Sequence, residues 1–142
     1  MQPLNFDEVL ETILTKDPRY HRDAYYFLRA ALDHTQKLVT KANRSEPRHV
    51  TGQELLEGIR DFALGQFGPM TQTVFNEWGI YRTEDFGDMV FNMVEQGLLS
   101  KTDSDRREDF KNAYEFEEAF RKPFMPSSRL NAVQRETRPS EV

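Results

Sequence analysis

Apolar residues recur along this chain at helical spacing, and five stretches carry the pattern. Phe6, Val9, Leu10, Ile13 and Leu14 share one face after Asn5 and Glu8, which have capping-box spacing. That helix is predicted to stop near Asp17-Pro18, because the residue before proline avoids the helical region. A longer helix follows over about 22–42, with Tyr25, Leu28, Leu32 and Leu38 on its apolar side and Arg22, Arg29, Lys37 and Lys41 elsewhere. Asn43 to Pro47 reads as a loop.

Thr51-Gly52-Gln53-Glu54 is a second capping box, after which Leu55, Ile59, Phe62 and Ala63 continue the helical period. Gly68-Pro69 ends this helix and opens the next, about 69–78, which closes at Gly79. Thr83 is the expected cap of a fifth helix over 84–96, with Phe86, Met89, Val90, Met93 and Val94 as its buried stripe. Gly97-Leu98 matches a left-handed helix end with a trailing apolar contact. The period then changes. After a polar turn over 102–109, Phe110, Asn112, Tyr114 and Phe116 alternate with Lys111, Ala113 and Glu115, which predicts a strand and hence a β-hairpin. Phe116, Ala119 and Phe120 fit a helical turn equally well. From residue 122, three prolines, three serines and little periodicity predict a disordered basic tail over 122–142.

The expected fold is therefore mainly α: one domain over 1–121, about five helices with a C-terminal hairpin. Its second half, 51–120, has the element order of a winged helix. In that order the helix from Thr51 comes first, 69–78 second and 84–96 third, in the recognition position, with 97–116 as the wing.

A chain of 142 residues is long enough to bury a core as one domain. It has no cysteine, so neither disulfides nor thiolate chemistry enter. The first residues are acidic where a signal peptide is basic, and no run approaches a membrane span, so the expectation is cytoplasmic with no membrane partner. Net charge is −5, distributed as +1 over 1–50, −9 over 51–120 and +3 over 121–142. The acidic middle repels phosphate backbones. The helix over 84–96 carries Glu84, Asp85, Asp88 and Glu95 with no Lys or Arg, which disfavours nucleic acid. The wing's Lys101, Arg106, Arg107 and Lys111 are offset by Asp103, Asp105, Glu108 and Asp109.

Candidate chemistry is sparse. Asp103 to Asp109 begins like a calcium loop but has Arg107 and Glu108 where an acid and a glycine belong, and Tyr114 in place of the bidentate Glu. Glu84, Asp85 and Asp88 lie within one helical turn, where acids complement the helix dipole without a ligand. His21, His34 and His49 show no metal-ligand spacing, and no phosphate-loop, dinucleotide or nucleophile-elbow pattern is present. The residues thus point to no catalytic, cofactor or metal site and away from an enzyme. Catalytic groups scattered along the sequence and converging only in the fold are the remaining enzymatic option. Tyr20, Tyr25, Tyr26 and Phe27 are too dense for all to face inward, so part of this cluster is a candidate interface.

Several motifs together resemble an uncharacterised bacterial protein family known chiefly from planctomycetes and verrucomicrobia. They are Ala24-Tyr25 and Phe27, His49-Val-Thr-Gly-Gln-Glu-Leu-Leu-Glu-Gly-Ile-Arg60, Phe67-Gly-Pro-Met70, Trp78-Gly79, Thr83-Glu-Asp-Phe-Gly87, Val90-Phe-Asn-Met-Val-Glu95, Gly97-Leu-Leu99 and Glu108-Asp-Phe110. The resemblance covers about residues 20–120 and implies no activity, cofactor or functional residue. The expected function is a non-enzymatic protein-protein interaction module. Its docking surface is expected at Tyr25 and Tyr26 or at Glu84, Asp85 and Asp88. The alternative is a winged-helix nucleic-acid-binding regulator using the wing and the tail residues Arg129, Arg135 and Arg138. The sequence assigns no oligomeric state.

Overall fold

The computed structural model describes residues 5–43, 49–99 and 106–125, and they are mainly helical. Five α-helices run in order: α1 Phe6–Lys16, α2 Arg22–Asn43, α3 Gly52–Phe67, α4 Thr71–Glu77 and α5 Thr83–Glu95. Short 3-10 turns cover Gly68–Met70, Arg107–Phe110 and Lys122–Phe124, and one wide π turn covers Glu117–Arg121. No described helix is long and apolar enough to cross a membrane.

Local chemistry sets most of the boundaries. Asn5 accepts from the Glu8 amide at 3.1 Å and starts α1, and the chain leaves the helix at Asp17, before Pro18. Thr51 and Glu54 form a reciprocal capping box, at 3.1 and 3.0 Å, and start α3. Helices α4 and α5 both end in a Schellman motif. Ile80 and Gly79 donate to Phe75 and Asn76, and Leu98 and Gly97 donate to Met93 and Val94, with Gly79 and Gly97 at φ 84° and 82°. A side chain at Gly79 would also meet the Arg19 carbonyl at 2.4 Å, so the α4 end closes directly on the α1–α2 connection. There the His21 amide donates to the Trp78 carbonyl at 3.1 Å.

The core is aromatic and centres on Phe75, which has no exposed surface. Its ring meets Phe27, Phe86, Phe116 and Phe120 at centroid separations of 5.2–5.6 Å, several of them edge-to-face. Around it lie Leu10, Ile13, Leu28, Leu56, Ile59, Ile80, Met89 and Met93, all buried.

The closest helix pair is α2 on α3. At their crossing, Gly58 faces Thr35, and a Cβ at Gly58 would lie 1.7 Å from the Thr35 hydroxyl oxygen. Thr35 is buried there and donates to the Ala31 carbonyl of its own helix at 2.7 Å. The hydroxyl thus enters the apolar contact already satisfied.

Two expectations need correction. Thr83 does not cap α5 but is its first residue. Its buried hydroxyl donates to the Phe110 carbonyl at 2.6 Å and accepts from the Ala113 amide at 3.2 Å. The capping role falls to Asp85, whose carboxylate accepts from the amides of Tyr81 and Arg82 at 2.7 and 3.2 Å.

Residues 110–116, expected as the returning strand of a hairpin, contain no strand. Phe110 closes a 3-10 turn and Asn112 has φ 50°. The alternation of large residues has another cause: each is anchored separately. Phe110 fits the space left by Gly52 and Gly87, the Tyr114 hydroxyl donates to the Leu56 carbonyl at 2.8 Å, and Phe116 joins the aromatic core. Of the expected turn over 102–109, residues 102–105, with the calcium-like Asp103 to Asp105, lie outside the described residues, and Arg107–Phe110 form a 3-10 turn. Phe116, Ala119 and Phe120 do sit on a helical turn.

Of the tail expected from residue 122, only the start is described. Its first residues, Lys122–Phe124, form a 3-10 turn; 126–142, including Arg129, Arg135 and Arg138, lie outside the described residues.

The α2–α3 crossing makes a paired prediction. Gly58→Ala places a methyl group on Thr35 and is expected to cost about 2 kcal/mol or more, despite alanine's better helix propensity. Gly65→Ala in the same helix meets nothing within 4 Å and is expected to gain about 0.5–1 kcal/mol. Urea unfolding of the two variants checks both signs, and equal effects would contradict the crossing.

Candidate functional site

Of the residues singled out from sequence, Tyr25 lies farthest from expectation. It is fully buried on α2, and its hydroxyl accepts from the Asn92 side chain at 3.1 Å. Burial pushes its phenol up to about 12. It is a core residue. Tyr26, one position on, is 36% exposed. Its ring packs on Phe6 at 5.2 Å and its hydroxyl donates to Asp7.

The acidic residues of α5 are drawn into a polar cluster that braces this helix to the α1–α2 connection. Tyr20, buried, directs its hydroxyl at Asp85 (2.8 Å) and Asp88 (3.1 Å). Arg19 grips both oxygens of Asp17 at 2.8 and 2.7 Å and reaches Asp88 at 3.3 Å. Arg107 adds a second cation on Asp88 at 2.8 Å and lies over the Phe91 ring at 5.0 Å. Asn92 completes the bracing by donating to Asp17 at 2.9 Å.

These contacts shift the groups in consistent directions. The Arg19 guanidinium, helped by Asn92, holds the Asp17 carboxyl well below the usual carboxylate range against an opposing burial effect. Burial, then the hydrogen bond to Asp85, raises the Tyr20 phenol far above its ordinary value. The acids thus have internal structural partners, and Asp85 and Asp88 are not an idle surface patch. Glu84 remains half-exposed at the start of the helix.

The histidines are dispersed. His21 accepts from the Asp23 amide at 2.9 Å, His34 pairs with Asp61 across α2 and α3 at 2.8 Å, and His49 lies at the start of the segment leading to α3. Among the described residues no three potential metal ligands come together.

The concave surface lies elsewhere, on α2 and between α2 and α5. Leu32, Val90 and Val94, all expected in the core from their periodicity, are only half-buried. Together with Leu98, Leu99 and Phe91 they line an apolar trough whose floor is the buried Leu55. The trough holds two adjoining cavities of about 200 and 160 Å³, which share Leu32, Leu55, Val90 and Leu99. Gln36, Thr51 and Asp109 stand at one end and Arg29 at the other. On the outer side of α2 a broader, shallower depression of about 590 Å³ is bounded by Tyr26, Arg29, Ala30, Leu32, Asp33 and Gln36. Sequence reasoning reached Tyr26 but missed the trough.

The Asp17 pairing makes a pH prediction. Its folded-state value is depressed, so its stabilisation is complete above the unfolded carboxyl range near about 4 and is lost as pH falls below it. Asp17→Asn is expected to lower the urea midpoint at pH 7, with the difference from the parent chain shrinking progressively between about pH 4 and pH 2. A pH-independent difference would exclude the carboxylate as the cause.

No family model, curated protein or solved structure matches the chain.

Proposed function

We propose that this chain is a non-enzymatic protein-protein interaction module that docks its partner on the outer face of α2. The observation that carries this reading is the wide depression along α2, in which Tyr26, Arg29, Ala30 and Asp33 follow one another at i, i+3, i+4 and i+7. That row is the surface a helix offers to another helix. Ala30 is small and exposed in its middle, and Tyr and Arg, the residue types that most often anchor interfaces, flank it. The acidic version of the docking surface has weaker support, because Asp85 and Asp88 already serve the helix cap and the Arg19/Arg107 bracing.

The winged-helix reading, with nucleic acid as partner, is also less well supported. The apolar face of the helix in the recognition position, Phe86, Met89 and Met93, is in the core. Its sequence supplies no cation for a phosphate.

The test is a pull-down with the tagged full chain from bacterial lysate after nuclease treatment. Ala30→Glu combined with Asp33→Lys changes only exposed positions and is expected to leave the melting temperature within about 2 °C. It is expected to lose at least ten-fold of a retained protein partner, while Glu84→Lys keeps it. Retention by the α2 variant and loss by Glu84→Lys would transfer the docking site to the acidic helix. Recovery that disappears with nuclease would favour the nucleic-acid reading.

A further inference from the structure

The trough between α2 and α5 has the construction of a ligand site as well as a gap in packing. Its two cavities adjoin and share four apolar residues, Leu32, Leu55, Val90 and Leu99. A concave, mostly apolar lining of this kind suits the apolar part of a ligand. The two ends differ in charge. At one end stands the Asp109 carboxylate, which accepts from Gln53 at 3.2 Å and from the Arg106 amide at 3.2 Å.

At the other end is Arg29. Its guanidinium lies 4.6 Å over the Phe6 ring and makes no ion pair among the described residues. Asp33, one turn on in α2, pairs with Lys37 at 3.3 Å, and Asp7, next to Phe6, accepts from Tyr26. An arginine held flat on an aromatic ring keeps its edge donors available for a planar, bidentate acceptor.

We propose that the trough binds a medium-chain linear carboxylate, with its head group on Arg29 and its alkyl chain laid across Leu32, Leu55 and Val90 toward Phe110. Asp109 repels the carboxylate from the far end and fixes the direction of the chain. Because the alkyl part supplies the binding, each added methylene tightens it about four-fold until the trough is full. This inference goes beyond the docking reading and is independent of it. The two sites share Arg29, Leu32 and Gln36.

The experiment is titration of the full-length chain with hexanoate, octanoate, decanoate and octylamine, below their micellar concentrations. It is followed by isothermal calorimetry and by methyl NMR of the Leu and Val side chains. Decanoate is expected to bind at least ten-fold more tightly than hexanoate and octanoate at least ten-fold more tightly than octylamine, with the largest methyl shifts at Leu32, Val90 and Val94. Arg29→Gln, on the exposed side of α2, is expected to weaken decanoate about ten-fold and to erase the preference for the acid over the amine. Val90→Phe is expected to fill the trough and remove binding.

Absence of trough methyl shifts at millimolar decanoate would overturn the site. Binding unchanged in Arg29→Gln would overturn the assignment of the carboxylate. Methyl shifts confined to other parts of the chain would identify the interaction as nonspecific and overturn the proposal as well. Because Arg29→Gln alters no buried residue, it remains decisive even if Val90→Phe fails to fold.

Discussion

The rest of the structure depends on how closely α2 is seated on α3. Gly58 brings the α3 backbone against Thr35, a separation that no side chain at position 58 permits. Two consequences follow. Leu55 and Leu56, one turn back on α3, are drawn beneath α2, and Leu55 becomes the floor of the trough. The opposite side of α2 is left facing outward along its row of Tyr26, Arg29, Ala30 and Asp33. The surfaces available for binding are thus a product of one backbone approach.

Electrostatics acts where α5 meets the α1–α2 connection. The acidic excess over 51–120 looks, from composition alone, like a free field. Much of it around α5 is used locally. Asp85 accepts from two backbone amides at the start of the helix, and Asp88 lies between Arg19 and Arg107. Asp17 is held ionised by Arg19 and Asn92. These groups tie α5 to a connection more than sixty residues earlier in the chain, where apolar contact alone leaves a polar seam. Surface pairs of this kind are individually weak. The partly buried Tyr20 hydroxyl and Asn92 amide lower the cost of the seam by donating to its carboxylates, Tyr20 to Asp85 and Asn92 to Asp17.

The helices were legible because their ends are written in local chemistry: Asn5, Pro18, the Thr51–Glu54 box, Gly68-Pro69, Gly79 and Gly97 each act within a turn of their own position. What was not legible depends on partners distant in sequence. Gly58 reads as an ordinary helix residue until Thr35 is placed against it. Phe110, Tyr114 and Phe116 mimic strand alternation, although their anchors are Gly52 and Gly87, the Leu56 carbonyl and Phe75, respectively. Thr83 looks like a cap because capping and its bonds to Phe110 and Ala113 favour the same residue type. Tyr25 and Tyr26 are neighbours with opposite fates, decided by which one the helix turns inward. The trough was hidden for a related reason: periodicity marks Leu32, Val90 and Val94 as apolar-face residues but carries no information on whether the facing helix is close enough to cover them.

The functional account rests on α2, rather than the acidic start of α5, being the face that meets another protein. Site-specific photo-cross-linking in bacterial cells tests this most directly, with the reactive residue placed at Ala30 in one strain and at Glu84 in another. The account predicts a discrete protein adduct from position 30 and none of comparable yield from position 84. A discrete adduct from position 84 with none from position 30 would contradict it.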